Sequence, residues 1–139
     1  MPRINIPSLA AINEGANEFL AQTAGRKIFA FNAPMGAGKT TIIQAILKSL
    51  GVVQLEGSPT YGLINSYATP GNGEIFHLDL YRLNSTEEAF DIGIEEIIYD
   101  NKYCFIEWPE IIRNLLPTNT VWVGIDVDEN DMRTIQFEL

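Results

Sequence analysis

A short apolar run, Lys27-Ile28-Phe29-Ala30-Phe31-Asn32, passes into the Gly-rich turn Ala33-Pro34-Met35-Gly36-Ala37-Gly38-Lys39-Thr40. A helix-forming segment from Thr41 to Leu50 follows and is stopped by Gly51. Strand, turn and helix in this order give a Walker A pattern its structural context. Small residues let backbone N–H groups curl around phosphate oxygens. A helix starting near Lys39 points its positive dipole end at the same anion. Lys39 adds a mobile positive charge for the terminal phosphates, and the Thr40 hydroxyl is the expected Mg²⁺ ligand. The residues expected to hold the nucleotide are Met35, Gly36, Ala37, Gly38, Lys39, Thr40 and Thr41. The first Gly of the usual pattern is Ala33 here, which suits a tight turn unless the position needs a positive φ. An ordinary Gly-rich strand-helix connection would have no need of both Lys39 and Thr40.

The rest of the chain supplies a sheet and helices for this unit. Ile28 and Ala30 fall on one face of the run and Phe29 and Phe31 on the other, as in a central, covered strand. Ile43, Ile46, Leu47 and Leu50 form the apolar stripe of the helix after the turn. Ile4 and Ile6 alternate as a short edge strand. Ser8 is a plausible N-cap for a helix carrying Leu9, Ile12, Ala16, Phe19 and Leu20 and ending near Gly25. Residues 61 to 79 read as a β-hairpin around Pro70-Gly71-Asn72-Gly73. Ser85-Thr86-Glu87-Glu88 is a capping box, and a break with a second helical turn falls at 92 to 98. Tyr103 to Ile106 is a short apolar strand ending in Glu107-Trp108-Pro109. Ile111, Ile112, Leu115 and Leu116 lie on one face of a short helix, and 120–127 with 132–139 form a second hairpin. These elements predict one α/β domain over 1–139.

A phosphate cradle also needs Mg²⁺ and an acid to hold the metal or its water shell. In such folds that acid lies at the carboxyl end of an apolar strand beside the loop strand. Glu107 and Asp79 both qualify. Glu107 follows the purer apolar run and is assigned to Mg²⁺. Asp79 is left to align or deprotonate the attacking water, or to reach the metal through water. The alternative for each is a solvated strand-end carboxylate. Trp108 reads by default as a packing residue and His77 as a satisfied sheet histidine. Arg82 reads as a phosphate contact or a structural ion pair, and Glu95, Glu96 and Asp128 as solvated surface.

Composition narrows the partners. The formal net charge is −9, with 9 Lys and Arg against 18 Asp and Glu. Neutralising nucleic-acid phosphates takes clustered Lys and Arg, and the basic residues here are scattered, so any service to RNA would pass through a partner protein. One Cys and one His cannot build a Cys/His zinc site. A single cysteine, Cys104, within Tyr103-Cys104-Phe105-Ile106 reads as a buried thiol in a reducing cytoplasm. No apolar run approaches the about 20 residues of a membrane span, and the N-terminus lacks the apolar core of a signal peptide.

Taken in order, Gly36-Ala37-Gly38-Lys39-Thr40-Thr41, Ser58-Pro59-Thr60, His77-Leu78-Asp79-Leu80-Tyr81-Arg82-Leu83 and Ile106-Glu107-Trp108-Pro109-Glu110 resemble the bacterial TsaE family, small ATPases of tRNA threonylcarbamoyladenosine biosynthesis. The resemblance implies a P-loop NTPase-like α/β domain with a mixed sheet, mainly parallel at its centre, helices on both faces and β-hairpins. It implies slow Mg²⁺-dependent ATP hydrolysis with Lys39, Asp79 and Glu107 as catalytic residues and Thr40 and Glu107 at the metal. It implies action with TsaB and TsaD, which attach a threonylcarbamoyl group to adenosine 37 of tRNAs reading codons that begin with A, the tRNA being met only through the complex. Ser58 and Thr60 resemble a switch, with Trp108 and Arg82 as further switch or partner residues, although Ser58 and Thr60 also suit a simple turn cap. The departure is Ala33-Pro34-Met35, where family members commonly carry Gly-Asp-Leu.

Three other readings compete. A small-molecule or nucleotide kinase would need an Arg-bearing lid, and no inserted segment looks like one. A guanine-specific switch would want Asn-Lys-x-Asp after a strand. Asn101-Lys102-Tyr103-Cys104 lacks the Asp and precedes its strand, which favours ATP. A degenerate, purely structural P-loop domain has no use for Lys39, Thr40, Asp79 and Glu107 together.

Overall fold

The apolar run before the Gly-rich turn is strand β2, Ile28–Phe31, and all four residues are buried. In this computed structural model, residues 2–34, 36–55 and 63–139 are described; Met35, Ser58 and Thr60 lie outside them. Chain order begins with β1 (Arg3–Ile6), α1 (Ile12–Gln22), β2 and α2 (Lys39–Ser49). The hairpin β3 (Ile64–Thr69) and β4 (Gly73–Asp79) follows, then α3 (Thr86–Asp91), α4 (Ile94–Ile98) and β5 (Cys104–Glu107). A 3-10 segment, Pro109–Leu115, leads to β6 (Val121–Val127) and β7 (Arg133–Glu138).

Seven strands form one sheet in the order β1-β7-β6-β2-β5-β4-β3. Strands β6, β2, β5 and β4 run parallel at its centre. Antiparallel pairs complete both ends, β3 on β4 and β7 between β6 and β1. The expected mixed sheet with two hairpins is therefore present. Covered on both faces, β2 has no room for a polar residue, which is why its run is continuous rather than alternating.

One face of the sheet packs under α1 and α2. The Phe19 ring of α1 lies 5.4 Å from Phe29 and 5.1 Å from Phe137, and Phe29 stacks on Phe105 at 5.1 Å. Each such buried ring stabilises the fold by about 1.5–3 kcal/mol relative to an exposed one. Ile42, Ile43, Ala45, Ile46 and Leu47 of α2 join this layer, a wider stripe than Ile43, Ile46, Leu47 and Leu50 alone. The other face buries Ile28, Leu78 and Ile106 against Ala89 of α3, Ile94 and Ile98 of α4, and Ile112. The stiff central strands thus hold the turn after β2 from both sides.

One local expectation differs from the structure. Ser8 does not cap α1. It is extended and makes no side-chain cap bond; its carbonyl instead accepts from Ala11 N–H at 3.1 Å, closing a 3-10 turn at Leu9–Ala11. Helix α1 then starts at Ile12 and passes so close to β1 that a Cβ on Gly15 would stand 2.8 Å from Ile6 Cγ1. The short helix expected after Glu107 is present as a 3-10 segment that opens at Pro109 and is broken by non-helical dihedrals at Ile112. The Ser85 cap is as expected: its hydroxyl accepts from Glu88 N–H at 3.2 Å.

Candidate functional site

The turn between β2 and α2 takes its shape from two left-handed glycines, Gly36 at φ +85° and Gly38 at φ +87°, the latter at the N-cap of α2. L side chains are strained there. Ala33 is not among the residues with positive φ, and it is 8% exposed. Its methyl group therefore sits in the core at no conformational cost, which answers the question raised by the missing first glycine. A Cβ on Gly38 would lie 2.7 Å from Arg133 Nε. The Gly38→Ala variant is expected to lose ligand binding at the turn and to melt at lower temperature than the parent, since both dihedral and space oppose the methyl; a thermal melt with and without Mg-ADP checks both.

Topology assembles the acids. Glu107 ends β5, directly beside β2, in register with Phe31 on one side and Asp79 on the other. At about 4.8 Å per strand, Glu107 stands one strand from the loop strand and Asp79 two. The period of two then puts His77 on the same face as Asp79. The result is a buried hydrogen bond of 2.7 Å between His77 Nε2 and Glu107 Oε2, while Glu107 Oε1 accepts from Thr40 Oγ1 at 3.0 Å. Burial pushes the Glu107 carboxyl up, but His77, the Thr40 hydroxyl and the Lys39 charge together outweigh it and hold the group below the ordinary carboxylate value. Asp79 is exposed, and its Oδ1 accepts from Tyr81 N–H at 3.2 Å.

Lys39 is the group without a settled partner. It is 6% exposed, and its Nζ makes no hydrogen bond among the described residues. The ammonium lies 3.6 Å above the Trp108 ring, a contact worth about 2 kcal/mol when desolvated. Burial lowers its pKa, and the negative charges of Glu107, Glu110 and Asp79 hold part of that shift back. Trp108 itself sits at φ +57°, ψ +56°, a left-handed conformation costing on the order of 1–3 kcal/mol in a non-Gly residue. That bend turns the ring off the end of β5, where it meets Tyr81 at 5.1 Å.

These groups line one cleft of about 330 Å³: Gly36, Gly38, Lys39, Thr40, Thr41, Asp79, Tyr81, Glu107 and Trp108. Of the expected site residues, Ala37 does not line it, and its carbonyl accepts from Arg133 Nε at 3.3 Å. Arg82 is exposed, lies off the cleft and makes no ion pair among the described residues. Tyr81, Glu110 and Arg133 were not singled out by sequence. His77 is satisfied, as expected, but its partner is the site acid. The only advance signal for that was its place two residues before Asp79 on one strand.

The donor set fits a small hard cation bound together with phosphate. Thr40 Oγ1 and Glu107 Oε1 are 3.0 Å apart, close to the roughly 2.9 Å between adjacent oxygens of an octahedron with ligands at 2.0–2.1 Å. Among the described residues no group of three or more His, Cys, Asp and Glu side chains could hold a metal unaided. Mg²⁺ is normally held by one or two protein oxygens plus phosphate and water, the number that Thr40 and Glu107 would supply. Among the described residues no helix is long and apolar enough to cross a membrane.

Comparison with known proteins places the chain in a family. A family model described as "Threonylcarbamoyl adenosine biosynthesis protein TsaE" matches residues 6–135. The tRNA threonylcarbamoyladenosine biosynthesis protein TsaE of Rickettsia bellii is 39% identical over 119 residues, covering 85% of this chain and 81% of that one. The Treponema pallidum protein of the same name is 37% identical over 101 residues, 73% of each chain. Among solved structures, Bacillus subtilis YdiB superposes with a TM-score of 0.74 at 21% identity, over 98% of this chain and 83% of that one. The family model and the sequence relatives lead to one assignment: the chain belongs to the TsaE family.

Proposed function

We propose that this protein is a Mg²⁺-dependent ATPase serving tRNA threonylcarbamoylation at adenosine 37, acting in the cytoplasm with TsaB and TsaD. The observation that carries the reading is the Lys39 ammonium, buried at the mouth of a loop of left-handed glycines with no hydrogen-bond partner among the described residues. An orphaned buried cation costs stability, and a polyanion in the cleft would relieve that cost. The names of the sequence relatives supply the pathway.

The roles follow from position. Gly36 and Gly38 leave backbone N–H groups free to face phosphate oxygens, at the positive end of α2. Lys39 leaves the Trp108 ring for the terminal phosphates. Thr40 and Glu107 would hold Mg²⁺, which supplies charge neutralisation to the phosphate oxygens. Asp79, exposed at the cleft and two strands from the loop, orients the attacking water and takes its proton. The γ-phosphorus bond to its bridging oxygen then breaks, leaving ADP and phosphate. His77 holds Glu107 in its rotamer through the 2.7 Å bond.

The test compares phosphate release from ATP and GTP, with and without Mg²⁺, and binding of bare tRNA at physiological salt. Slow Mg²⁺-dependent release from ATP is expected, weaker with GTP. A net charge of −9 gives no tRNA complex without partner proteins. Absence of nucleotide turnover together with tight tRNA binding by the isolated chain would contradict the reading.

A further inference from the structure

Arg133 opens β7 at the end of the sheet that carries the Gly-rich turn, in register with Ile6 on one side and Val127 on the other. Its side chain does not line the cleft. It approaches the loop from behind, where Nε donates to the Ala37 carbonyl at 3.3 Å. The guanidinium also lies close against Gly38: an added Cβ there would meet Nε at 2.7 Å and both Cζ and Nη2 at 3.3 Å. The residue is half-buried, and no carboxylate pairs with it among the described residues. A cation in such a place would ordinarily take a carboxylate; this one takes a single peptide carbonyl.

That peptide unit decides the consequence. In a trans peptide the C=O and the following N–H point in opposite directions. A bond that holds the Ala37 carbonyl outward therefore aims the Gly38 N–H inward, toward the cleft that Gly38 lines. The Gly38 N–H has no backbone acceptor among the described residues. Glycine permits either orientation of this peptide at little cost. The launch point of Arg133 is in turn fixed by the hairpin tip. There Asp128 Oδ1 accepts from Asn130 N–H and Met132 N–H, both at 2.9 Å.

We propose that Arg133 is a positioning residue for anion binding: it locks the Ala37–Gly38 peptide with its N–H turned into the cleft and so sets affinity for nucleotide phosphate without touching it. This rests on the nucleotide-binding reading above. The experiment is calorimetric titration with Mg-ADP, beside steady-state ATP hydrolysis and thermal melts, for the parent, Arg133→Met, Arg133→Lys and Asp128→Ala. A charge-assisted bond of the usual strength predicts about tenfold weaker Mg-ADP binding in Arg133→Met. KM for ATP should rise by a similar factor with kcat within about twofold of the parent. Arg133→Lys, which can still donate to Ala37, should recover most of the loss, and Asp128→Ala should show a smaller loss in the same direction. Equal Mg-ADP affinity in parent and Arg133→Met overturns the proposal. So does a loss that Arg133→Lys leaves unrelieved, or one that lowers kcat in step with the melting temperature, as a merely structural residue would. A parent that binds no nucleotide overturns this proposal and the nucleotide reading together; a parent that binds, with an Arg133→Met variant that binds equally, overturns this one alone.

Discussion

Lys39→Met is expected to abolish measurable Mg-ADP binding while leaving the melting temperature of the ligand-free protein unchanged or raised. The two effects separate because Lys39 is buried and makes no hydrogen bond among the described residues. In the free protein its ammonium has lost water and gained, among the described residues, the Trp108 ring and neighbouring negative charge. A methionine fills the same space without that cost, and replacing buried charges by apolar groups of similar volume is often neutral or stabilising. With phosphate present the same charge becomes the main counter-ion, and truncating such a partner costs about 2–5 kcal/mol, or about thirtyfold or more in affinity. Titration calorimetry and a thermal melt on the same preparation read both. A variant that binds Mg-ADP like the parent removes the cradle; one that binds nothing but melts far lower makes Lys39 a structural residue.

The two acids should respond in opposite ways. Glu107→Ala strips the acceptor from His77 and Thr40 at once, and breaking such a buried pair costs about 3–5 kcal/mol. It should also weaken Mg²⁺-dependent nucleotide binding. Asp79→Ala removes an exposed carboxylate whose hydrogen bond is to Tyr81 N–H; stability should move by less than about 0.5 kcal/mol and nucleotide affinity little, while turnover falls. Acid extends the contrast. The Glu107 carboxyl is held below its ordinary value near 4.5, so its stabilisation is fully present above that value and is lost as pH falls through the lower folded one. The parent should therefore lose stability below about pH 4.5 more steeply than Glu107→Ala. Equal loss of metal affinity in both variants would refute the division of labour.

What could be read in advance was local. The strand, turn and helix from Lys27 to Leu50 are specified by neighbours in sequence: an apolar run, glycines at the tight positions and a helical stripe. Asp79 and Glu107 were legible as strand ends for the same reason. Their adjacency was not, because it comes from β4 pairing with β5 across 28 residues of chain, and no periodicity encodes a strand order. Ser8 shows a weaker limit: a cap residue before an apolar stripe fits a 3-10 turn as well as an α-helix, and packing of Gly15 on Ile6 chose the later start. Trp108 passed as packing because its role depends on one left-handed φ. Arg133 carried no local signal, since its partner Ala37 lies 96 residues away.

The proposed role of nucleotide in this cleft is tested most directly in the whole reaction. The direct measurement is reconstitution of threonylcarbamoylation with TsaB, TsaD, the threonylcarbamoyl donor, excess tRNA and ATP, counting modified tRNA per complex over time. With the parent protein the count should rise well beyond one per complex, and with Lys39→Met or Asp79→Ala it should stop near one. Sustained multiple turnover with either variant, or with this protein omitted, would contradict the account.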